Sequence, residues 1–198
     1  MLVIGLCGGS GSGKSTVANM LSSHNILHID TDLIYKKIIS VQSACTEELK
    51  DEFGEIIIRA DGSVDRKILA QIVFSDKVKH AALNRIAHRH VLDEVRKIIS
   101  ESTNYFAICV DAPMLFESGF QNECDILVAV IAPIKDRINR ITTRDSINDF
   151  QAEQRIHAQT SDDDLIAKVD YVINNDSDIS SLEYQIDKLL EIINNKLK

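Results

Sequence analysis

A glycine-rich stretch near the amino terminus constrains this chain more than any other feature. Residues 8–16 read Gly-Gly-Ser-Gly-Ser-Gly-Lys-Ser-Thr, and they follow a short apolar run, residues 1–7, that fits a buried strand. Residues 17–21 fit the helix that should come next. The spacing G-x-x-x-x-G-K-[ST] between a strand and a helix is typical of a P-loop, which binds phosphate groups. A chance Gly/Ser turn is the alternative, and the Lys-Ser-Thr ending argues against it.

The residue types in this stretch explain how it could hold phosphate. Glycines let backbone N–H groups turn inward and approach phosphate oxygens, which a Cβ atom would prevent. The N-terminus of the following helix adds partial positive charge. We expect Lys14 to reach the β- and γ-phosphates of ATP, and the Ser15 hydroxyl to ligate Mg²⁺.

Composition argues against several classes of protein. The net charge of −8 disfavours a nucleic-acid binder, which would normally carry a basic face. No apolar run reaches transmembrane length and the start lacks the basic region of a signal peptide, so we expect a cytoplasmic protein with no membrane partner. The four cysteines lack CxxC spacing, and we expect reduced thiols, with Cys7 and Cys109 in buried strands. The chain length fits one domain, as a monomer or a small homo-oligomer.

Apolar runs of strand length recur along the chain. They cover residues 2–7, 26–29, 106–110, 126–131 and 171–173. Their nearly continuous apolar character is typical of strands buried on both faces of a parallel sheet. Helical patterns separate them, so the sequence predicts a doubly wound α/β fold with a parallel five-stranded sheet.

The interval from residue 31 to residue 104 shows no clear strand and is longer than one crossover needs. It reads as helices over residues 31–40, 47–53, 66–74, 77–90 and 91–100, with Asp65 and Asp76 as N-caps. We expect this helical insertion to cap the carboxyl ends of the strands, where α/β proteins bind their ligands.

Two acidic residues, Asp30 and Asp32, follow the second predicted strand. A carboxylate there could face the cleft opposite the P-loop, accept a hydrogen bond from a hydroxyl nucleophile and orient it on the γ-phosphate. The alternative for either residue is the N-cap of the next helix, and one of them can serve as that cap. Asp32 is the stronger catalytic candidate.

The third predicted strand ends in Asp111, which gives it the form of a Walker B segment. Such an aspartate can bind Mg²⁺ directly or through water. Glu117 is an alternative carboxylate in the same region, and it could equally lie in the first turns of a helix.

Three arginines, Arg137, Arg140 and Arg144, stand at i, i+3 and i+7, which places them on one helix face, and Arg155 follows. Guanidinium forks suit phosphate oxygens. We expect residues 137–160 to form a mobile helical lid that closes over ATP, with hinges near its ends because it contains no glycine. Arg137 is the weakest candidate. The alternative is a solvated face paired with Asp136, Asp145, Asp149 and Glu153.

Further motifs complete a resemblance. These are Ile-Asp-Thr-Asp at 29–32, Asp-Gly-Ser-Val-Asp-Arg at 61–66, Ala-Pro-Met-Leu-Phe-Glu at 112–117, and a lid carrying Arg144-Asp145 and Arg155-Ile156 and closed by Gln159. With the P-loop, they run over nearly the whole chain. The chain resembles the dephospho-CoA kinases, which are small-molecule kinases with a P-loop.

The resemblance implies ATP-dependent phosphorylation of the ribose 3′-hydroxyl of dephospho-CoA, the last step of coenzyme A synthesis. It implies that Asp32 is the base, that Lys14 and Arg144 assist phosphoryl transfer, and that the helical insertion holds the CoA moiety. The implied nucleotide contacts are Gly11, Ser12, Gly13, Lys14, Ser15, Thr16, Arg140 and Asn175. The substrate contacts are Asp32, His88, Leu115, Phe116, Glu117 and Arg155, and the Mg²⁺ ligands are Ser15 and Asp111.

Three departures from the family pattern stand outside the phosphate machinery. His88-Arg89 replaces His-Pro, Met114 replaces leucine, and Asn174-Asn175 replaces Asp-Asn near the expected adenine loop. A kinase of nucleosides or nucleotides remains one alternative. A GTPase-like switch is another, although the chain lacks the Asn-Lys-x-Asp motif that reads guanine.

Overall fold

A parallel sheet of five strands organises one part of the molecule. The computed structural model describes residues 1–74 and 76–197. The strands are β1 (Leu2–Cys7), β2 (Ile26–Asp30), β3 (Ala107–Asp111), β4 (Ile126–Ile131) and β5 (Tyr171–Asn174). They lie in the order β2-β3-β1-β4-β5, in which β1 runs parallel to β3 and β4, and β4 runs parallel to β5. The predicted α/β class and all the predicted strands are confirmed.

Helices connect and follow these strands. They are α1 (Lys14–Ser22), α2 (Thr31–Ile38), α3 (Ala44–Phe53), α4 (Arg66–Phe74), α5 (Lys77–Glu101), α6 (Ile134–Asp145), α7 (Asp149–His157), α8 (Asp162–Ile166) and α9 (Ile179–Lys196). The chain divides into two compact units, Met1–Ile29 with Thr103–Lys198, and Asp30–Ser102. Across the described residues, no helix combines the length and apolar character needed to cross a membrane.

The core of the first unit forms where the sheet meets α1 and α9. Ile4 and Leu6 on β1 are fully buried, as are Val17 and Leu21 on α1 and Leu189 on α9. Each side chain of this size contributes about 1.5–3 kcal/mol when it leaves water. The continuous apolar sequence of β1 therefore specifies a central strand, and the P-loop follows directly from its carboxyl end.

The second unit is built on α5, against which α2, α3 and α4 pack. Its core includes Leu49, Phe53, Leu69 and Ile86. The helix α3 begins three residues earlier than expected because Ser43 and Thr46 form a capping box, in which each side chain bonds the other's backbone. Asp76 caps α5 as expected, accepting hydrogen bonds from two backbone N–H groups.

The expectation of two helices over residues 77–100 is wrong. The structure has one uninterrupted helix, α5, of 25 residues. Arg89 stands in its middle where the family pattern has proline, so the break that proline would impose is absent. The Arg89 guanidinium instead pairs with Glu48 on α3, and His90 Nε2 lies 2.7 Å from the same carboxylate. A proline at this position would therefore remove a contact between α3 and α5 as well as bend α5.

The lid region is divided into two helices, and its hinges, expected near its ends, stay a prediction. It consists of α6 and α7, separated by a turn at residues 146–148. Ser146 ends α6 in the left-handed conformation with φ 54° and ψ 41°, and Asn148 caps α7. The absence of glycine gave no hint of this break, because serine here adopts a conformation that glycine would normally supply.

Candidate active site

The loop between β1 and α1 has the geometry of an anion-binding nest. Gly11 and Gly13 have φ values of +76° and +101°, in the left-handed region that favours glycine. A Cβ atom on Gly13 would lie 2.1 Å from the side-chain nitrogen of Asn175. Gly13 is also the N-cap of α1 and brings no side-chain cap, so the first N–H groups of α1 have no such partner. The start of α1 is therefore suited to bind an anion.

Lys14 is the first residue of α1, and its Nζ donates a hydrogen bond to the Gly8 carbonyl at 2.8 Å. This bond carries the ammonium back across the glycine-rich loop to the loop's own first residue. Ser15 and Thr16, which follow, are exposed. The structure thus places one cation and two hydroxyl groups at the same helix start as the nest.

Arg140 and Asn175 hold the carbonyl side of this loop. Arg140 Nη1 donates to the carbonyls of Gly11 and Ser12 at 3.1 and 3.3 Å, and Asn175 Nδ2 donates to the Ser12 carbonyl at 2.8 Å. Arg140 Nη2 also donates to the Asn175 carbonyl at 3.3 Å. In a trans peptide the C=O and N–H bonds point in opposite directions, so pinning these carbonyls orients the N–H groups that follow them.

Arg137 lies deeper and contacts the loop one residue earlier. Its side chain is buried, and its Nε donates to the Ser10 carbonyl at 3.0 Å. Its Nη1 donates to Asp162 Oδ1 at 3.1 Å, and its Nη2 to Gln159 Oε1 at 3.5 Å. The helix-face prediction for the arginines is supported here, but Arg137 is far from being a solvated charge. The sequence pattern ranks it last of the three and gives no signal for Asp162, because their pairing joins α6 to α8.

Arg144 and Arg155 have a different kind of partner. Arg144 donates to both oxygens of Asp145, at 2.8 and 2.9 Å, and Arg155 bonds the same carboxylate from α7. The Arg144 bond, supported by the one from Arg155, holds the pKa of Asp145 well below its usual range. Arg144 Nη2 also lies 3.5 Å from Ser10 Oγ. Both side chains are exposed.

Several charges gather where β1 ends. Burial raises the pKa of the Cys7 thiol to about 12. The Lys14 charge lowers this pKa, whereas the Glu117 and Asp111 charges raise it. Asp111 is buried at the end of β3, in register with Leu6 on β1. The expected reduced, buried state of Cys7 agrees with this environment, and Cys109 is buried too.

The donor set at this end of the sheet fits a magnesium ion. The Ser15 hydroxyl and the Asp111 carboxylate supply the oxygen ligands that Mg²⁺ prefers. Among the described residues, no group of three or more His, Cys, Asp or Glu side chains could hold a metal ion by itself. Mg²⁺ in nucleotide sites is held by one or two protein oxygens together with phosphate and water, and the pair Ser15 and Asp111 stays a prediction.

The segment at residues 112–117 places its side chains in three environments. Leu115 is fully buried, which leaves it a packing role in this structure, whereas Phe116 is half-buried and Glu117 is exposed. The Lys168 ammonium lies 5.3 Å from the centre of the Phe116 ring. Thr160 Oγ1 donates to Glu117 Oε1 at 3.4 Å, which joins this segment to the end of the lid region.

In the second unit, the structure shows which of Asp30 and Asp32 caps α2. Asp30 is the N-cap of α2, and its carboxylate accepts a hydrogen bond from the Leu33 N–H at 3.0 Å. Asp32 lies in the first turn with an exposed side chain. His88 is half-buried on α5. Its neighbour His90 has a lowered pKa because of burial and the nearby Arg89 charge.

Comparison with known proteins decides the family. A model of the dephospho-CoA kinase family matches residues 2–181. The chain belongs to the dephospho-CoA kinase family. It is 38% identical to a Fusobacterium nucleatum protein named dephospho-CoA kinase, covering 98% of this chain and 99% of that one. A Thermobifida fusca protein of the same name is 31% identical, over 100% of this chain and 98% of that protein. The solved dephospho-CoA kinase from Campylobacter jejuni shares the fold, with a TM-score of 0.68 at 22% identity, covering 99% and 98%.

As a member of the dephospho-CoA kinase family, the chain keeps the second asparagine of its Asn174-Asn175 pair in contact with the P-loop. The first, Asn174, is held by its backbone. Its N–H donates to Gln185 Oε1 at 2.8 Å, and its carbonyl accepts from Gln185 Nε2 at 2.9 Å. The Asn174 departure therefore leaves the loop contact of Asn175 intact.

Proposed function

We propose that this chain is a kinase that transfers the γ-phosphoryl group of ATP to the ribose 3′-hydroxyl of dephospho-CoA, the last step of coenzyme A synthesis. The observation that carries the proposal is the P-loop held by Lys14, Arg140 and Asn175 in a chain of the dephospho-CoA kinase family. Phosphoryl transfer depends mainly on positioning and on stabilising charge, which this arrangement supplies.

In this proposal, both the P-loop and the lid arginines contact the phosphates of ATP. Residues 11–16 hold the phosphates of ATP, with Lys14 on the β- and γ-phosphates. Arg144 and Arg155 exchange Asp145 for phosphate oxygens, and Arg144 offsets charge on the transferring group. This exchange is supported by the partners in the structure, since a carboxylate and a phosphate accept the same guanidinium fork.

Asp32 is the base in this mechanism. The acceptor oxygen bonds the γ-phosphorus while its proton passes to the Asp32 carboxylate, and the bond from the γ-phosphorus to the β–γ bridging oxygen breaks, so that this oxygen leaves with ADP. The exposure of Asp32 and the use of Asp30 as the cap support this assignment. Ser15 and Asp111 would hold Mg²⁺, which would neutralise charge on the β- and γ-phosphates.

The base of ATP has a candidate pocket in the first unit. A cavity of about 220 Å³ is lined by Gly13, Thr16, Arg140, Asn175, Ser177, Asp178, Ile179 and Leu182. We assign adenine to it, beside the phosphate nest. We assign the CoA moiety to the helical unit Asp30–Ser102, with His88 among its contacts. We also propose a cytoplasmic enzyme, monomeric or a small homo-oligomer, with no nucleic-acid or membrane partner.

A coupled ADP-release assay tests the reaction. The purified chain with ATP and Mg²⁺ should turn over dephospho-CoA at least tenfold faster than adenosine, AMP or uridine. A preference for one of those three would identify a different small-molecule kinase. Tight ATP binding with no turnover of any acceptor would identify a nucleotide-binding module instead.

Asp32→Asn separates the base from the nucleotide site. Removing a base that acts only in the transition state should lower kcat by about 100-fold or more and leave ATP affinity within about threefold. Asp30→Asn is the matched control, because asparagine caps a helix as well as aspartate does and the variant should keep both α2 and turnover close to wild type. Loss of ATP binding in Asp32→Asn would assign Asp32 to the nucleotide or its metal.

A further inference from the structure

Arg137 is a buried cation that the mechanism above does not use. Its side chain is 4% exposed, while its partner Asp162 is 27% exposed. Burying a guanidinium costs free energy unless its N–H groups are paired. Here Nε, Nη1 and Nη2 have acceptors on Ser10, Asp162 and Gln159 respectively. These three acceptors compensate for the burial of the Arg137 charge and fix the position of its guanidinium.

The contacts of Arg137 converge on one residue of the P-loop. The Ser10 carbonyl accepts from Arg137 Nε at 3.0 Å, and the Ser10 N–H donates to Gln159 Oε1 at 2.8 Å. Arg137 lies on α6, and Gln159 follows α7. The two ends of the lid region are thus fastened to the same residue, on either side of its Cα atom.

Gly9 shows how closely the guanidinium lies against the loop. A Cβ atom built on Gly9 would lie 2.0 Å from Arg137 Nη2 and 2.7 Å from its Cζ. Gly9 is not among the glycines with positive φ, so its own backbone conformation does not demand glycine. The space that glycine leaves at this position is filled by Arg137.

We propose that Arg137 is a positioning residue for phosphoryl transfer. It holds Gly9 and Ser10 in the conformation that presents the nest to ATP, and it fixes both ends of the lid to that loop. Asp162 acts through it by holding Nη1. Arg137 touches no substrate atom in this account, which rests on the proposed function only in taking ATP as the ligand of the loop.

The test is ATP affinity in the absence of any acceptor, measured by titration calorimetry. Arg137→Gln should weaken ATP binding about tenfold or more, with a matching rise in the KM for ATP and a smaller fall in kcat. Arg137→Lys should recover only part of the loss, because an ammonium cannot reach three acceptors in a plane. Lys135→Gln, an exposed residue on the same helix with the same loss of charge, should stay within twofold.

A double variant tests the role of Asp162. If Asp162 acts through Arg137, then Arg137→Gln/Asp162→Asn should bind ATP no worse than Arg137→Gln alone, while Asp162→Asn alone should show a loss. Losses that multiply would contradict this route. Hydrogen exchange of residues 8–13 should increase in Arg137→Gln and not in Lys135→Gln.

A merely structural role would give a different result. It would lower the melting temperature of Arg137→Gln and leave the ATP Kd of the folded protein within twofold, and that outcome would overturn the proposal. If Arg137→Gln does not fold, Arg137→Lys decides, with at least a threefold rise in Kd expected and an unchanged Kd contradicting the proposal. Failure of wild-type protein to phosphorylate dephospho-CoA would overturn the proposed function and leave this ATP-binding test intact.

Discussion

The base and the tip of the lid region differ in what their arginines bond. At the lid base, which we define as Arg137, Arg140 and Gln159, the guanidiniums bond backbone carbonyls of the P-loop. At the lid tip, defined as Arg144, Asp145 and Arg155, they share a carboxylate.

This difference separates cations that shape the site from cations that can move. A backbone carbonyl is a fixed partner with no competing role, and bonding it organises the loop before ATP arrives. A carboxylate can be replaced by a phosphate, which offers the same geometry with more charge. The base should therefore govern ATP binding, and the tip should govern the chemical step. The following predictions test that division, from the largest effect to the smallest.

The largest effect is expected at Lys14, which follows the P-loop residues that the lid base holds. Lys14→Ala should lower kcat by two to three decades, since a contact to developing charge contributes about 3–4 kcal/mol. The fold should persist, because Lys14 opens α1 and is not a core residue. Steady-state kinetics with circular dichroism provides the measurement, and Lys135→Ala is the matched control. More than about a third of wild-type turnover in Lys14→Ala would contradict the role.

At the lid tip, Arg144→Ala should lower kcat/KM by about 100-fold, because charge stabilisation in a dehydrated site is lost. Most of the loss should fall on kcat, in contrast to the KM effect expected at the base. Arg144→Lys should restore only part of the activity, since it keeps the charge but loses the planar fork. Near-normal activity of Arg144→Ala would return Arg144 to the class of surface charges.

Hydrogen exchange should distinguish base from tip directly. ATP and dephospho-CoA together should increase protection in α7 and the end of α6, residues 142–157, more than in residues 137–141. The reason is that the base is already bonded to the loop, whereas the tip must leave Asp145 for phosphate. The turn at Ser146 supplies a bend within the lid region. Equal protection with and without ligands across residues 142–157 would contradict lid closure.

The fold was largely predictable because its signals are local. Each strand is an apolar run long enough to cross a buried sheet, so the strand bounds agree with the structure to within one residue. Where the signal is missing, the prediction fails. The break at Ser146 uses a left-handed serine that no sequence pattern marks. The continuity of α5 depends on Arg89 standing where the family pattern has proline.

The site was predictable to the extent that it follows from the P-loop spacing and from the i, i+3, i+7 arginines. The spacing places Arg137, Arg140 and Arg144 on one face but does not say which of them is buried. That depends on Gln159 and Asp162, which reach Arg137 only through the fold. The catalytic assignment of Asp32 gains from the structure only the finding that Asp30 takes the cap.

The smallest effect expected concerns the pH dependence of the lid tip. Because Arg144 and Arg155 lower the pKa of Asp145 in the folded protein, its ionised form stabilises the fold. That contribution is complete above the unfolded-state pKa of about 3.9 and is lost as the pH falls toward the lower folded-state pKa. Asp145→Asn removes it at every pH.

The melting temperature of wild type should therefore exceed that of Asp145→Asn at pH 7, by a small margin because exposed ion pairs are screened by water. The margin should stay constant down to about pH 5 and narrow below about pH 4, where the unfolded state binds a proton and the folded state does not. Calorimetry of both proteins from pH 7 to pH 3 at low salt measures the margin, and titration of the other carboxyl groups cancels in the difference. A margin that widens toward acid pH would mean that the folded state binds the Asp145 proton more tightly than the unfolded state does, so that Arg144 and Arg155 do not favour the carboxylate, and the division between base and tip would then lose its physical basis.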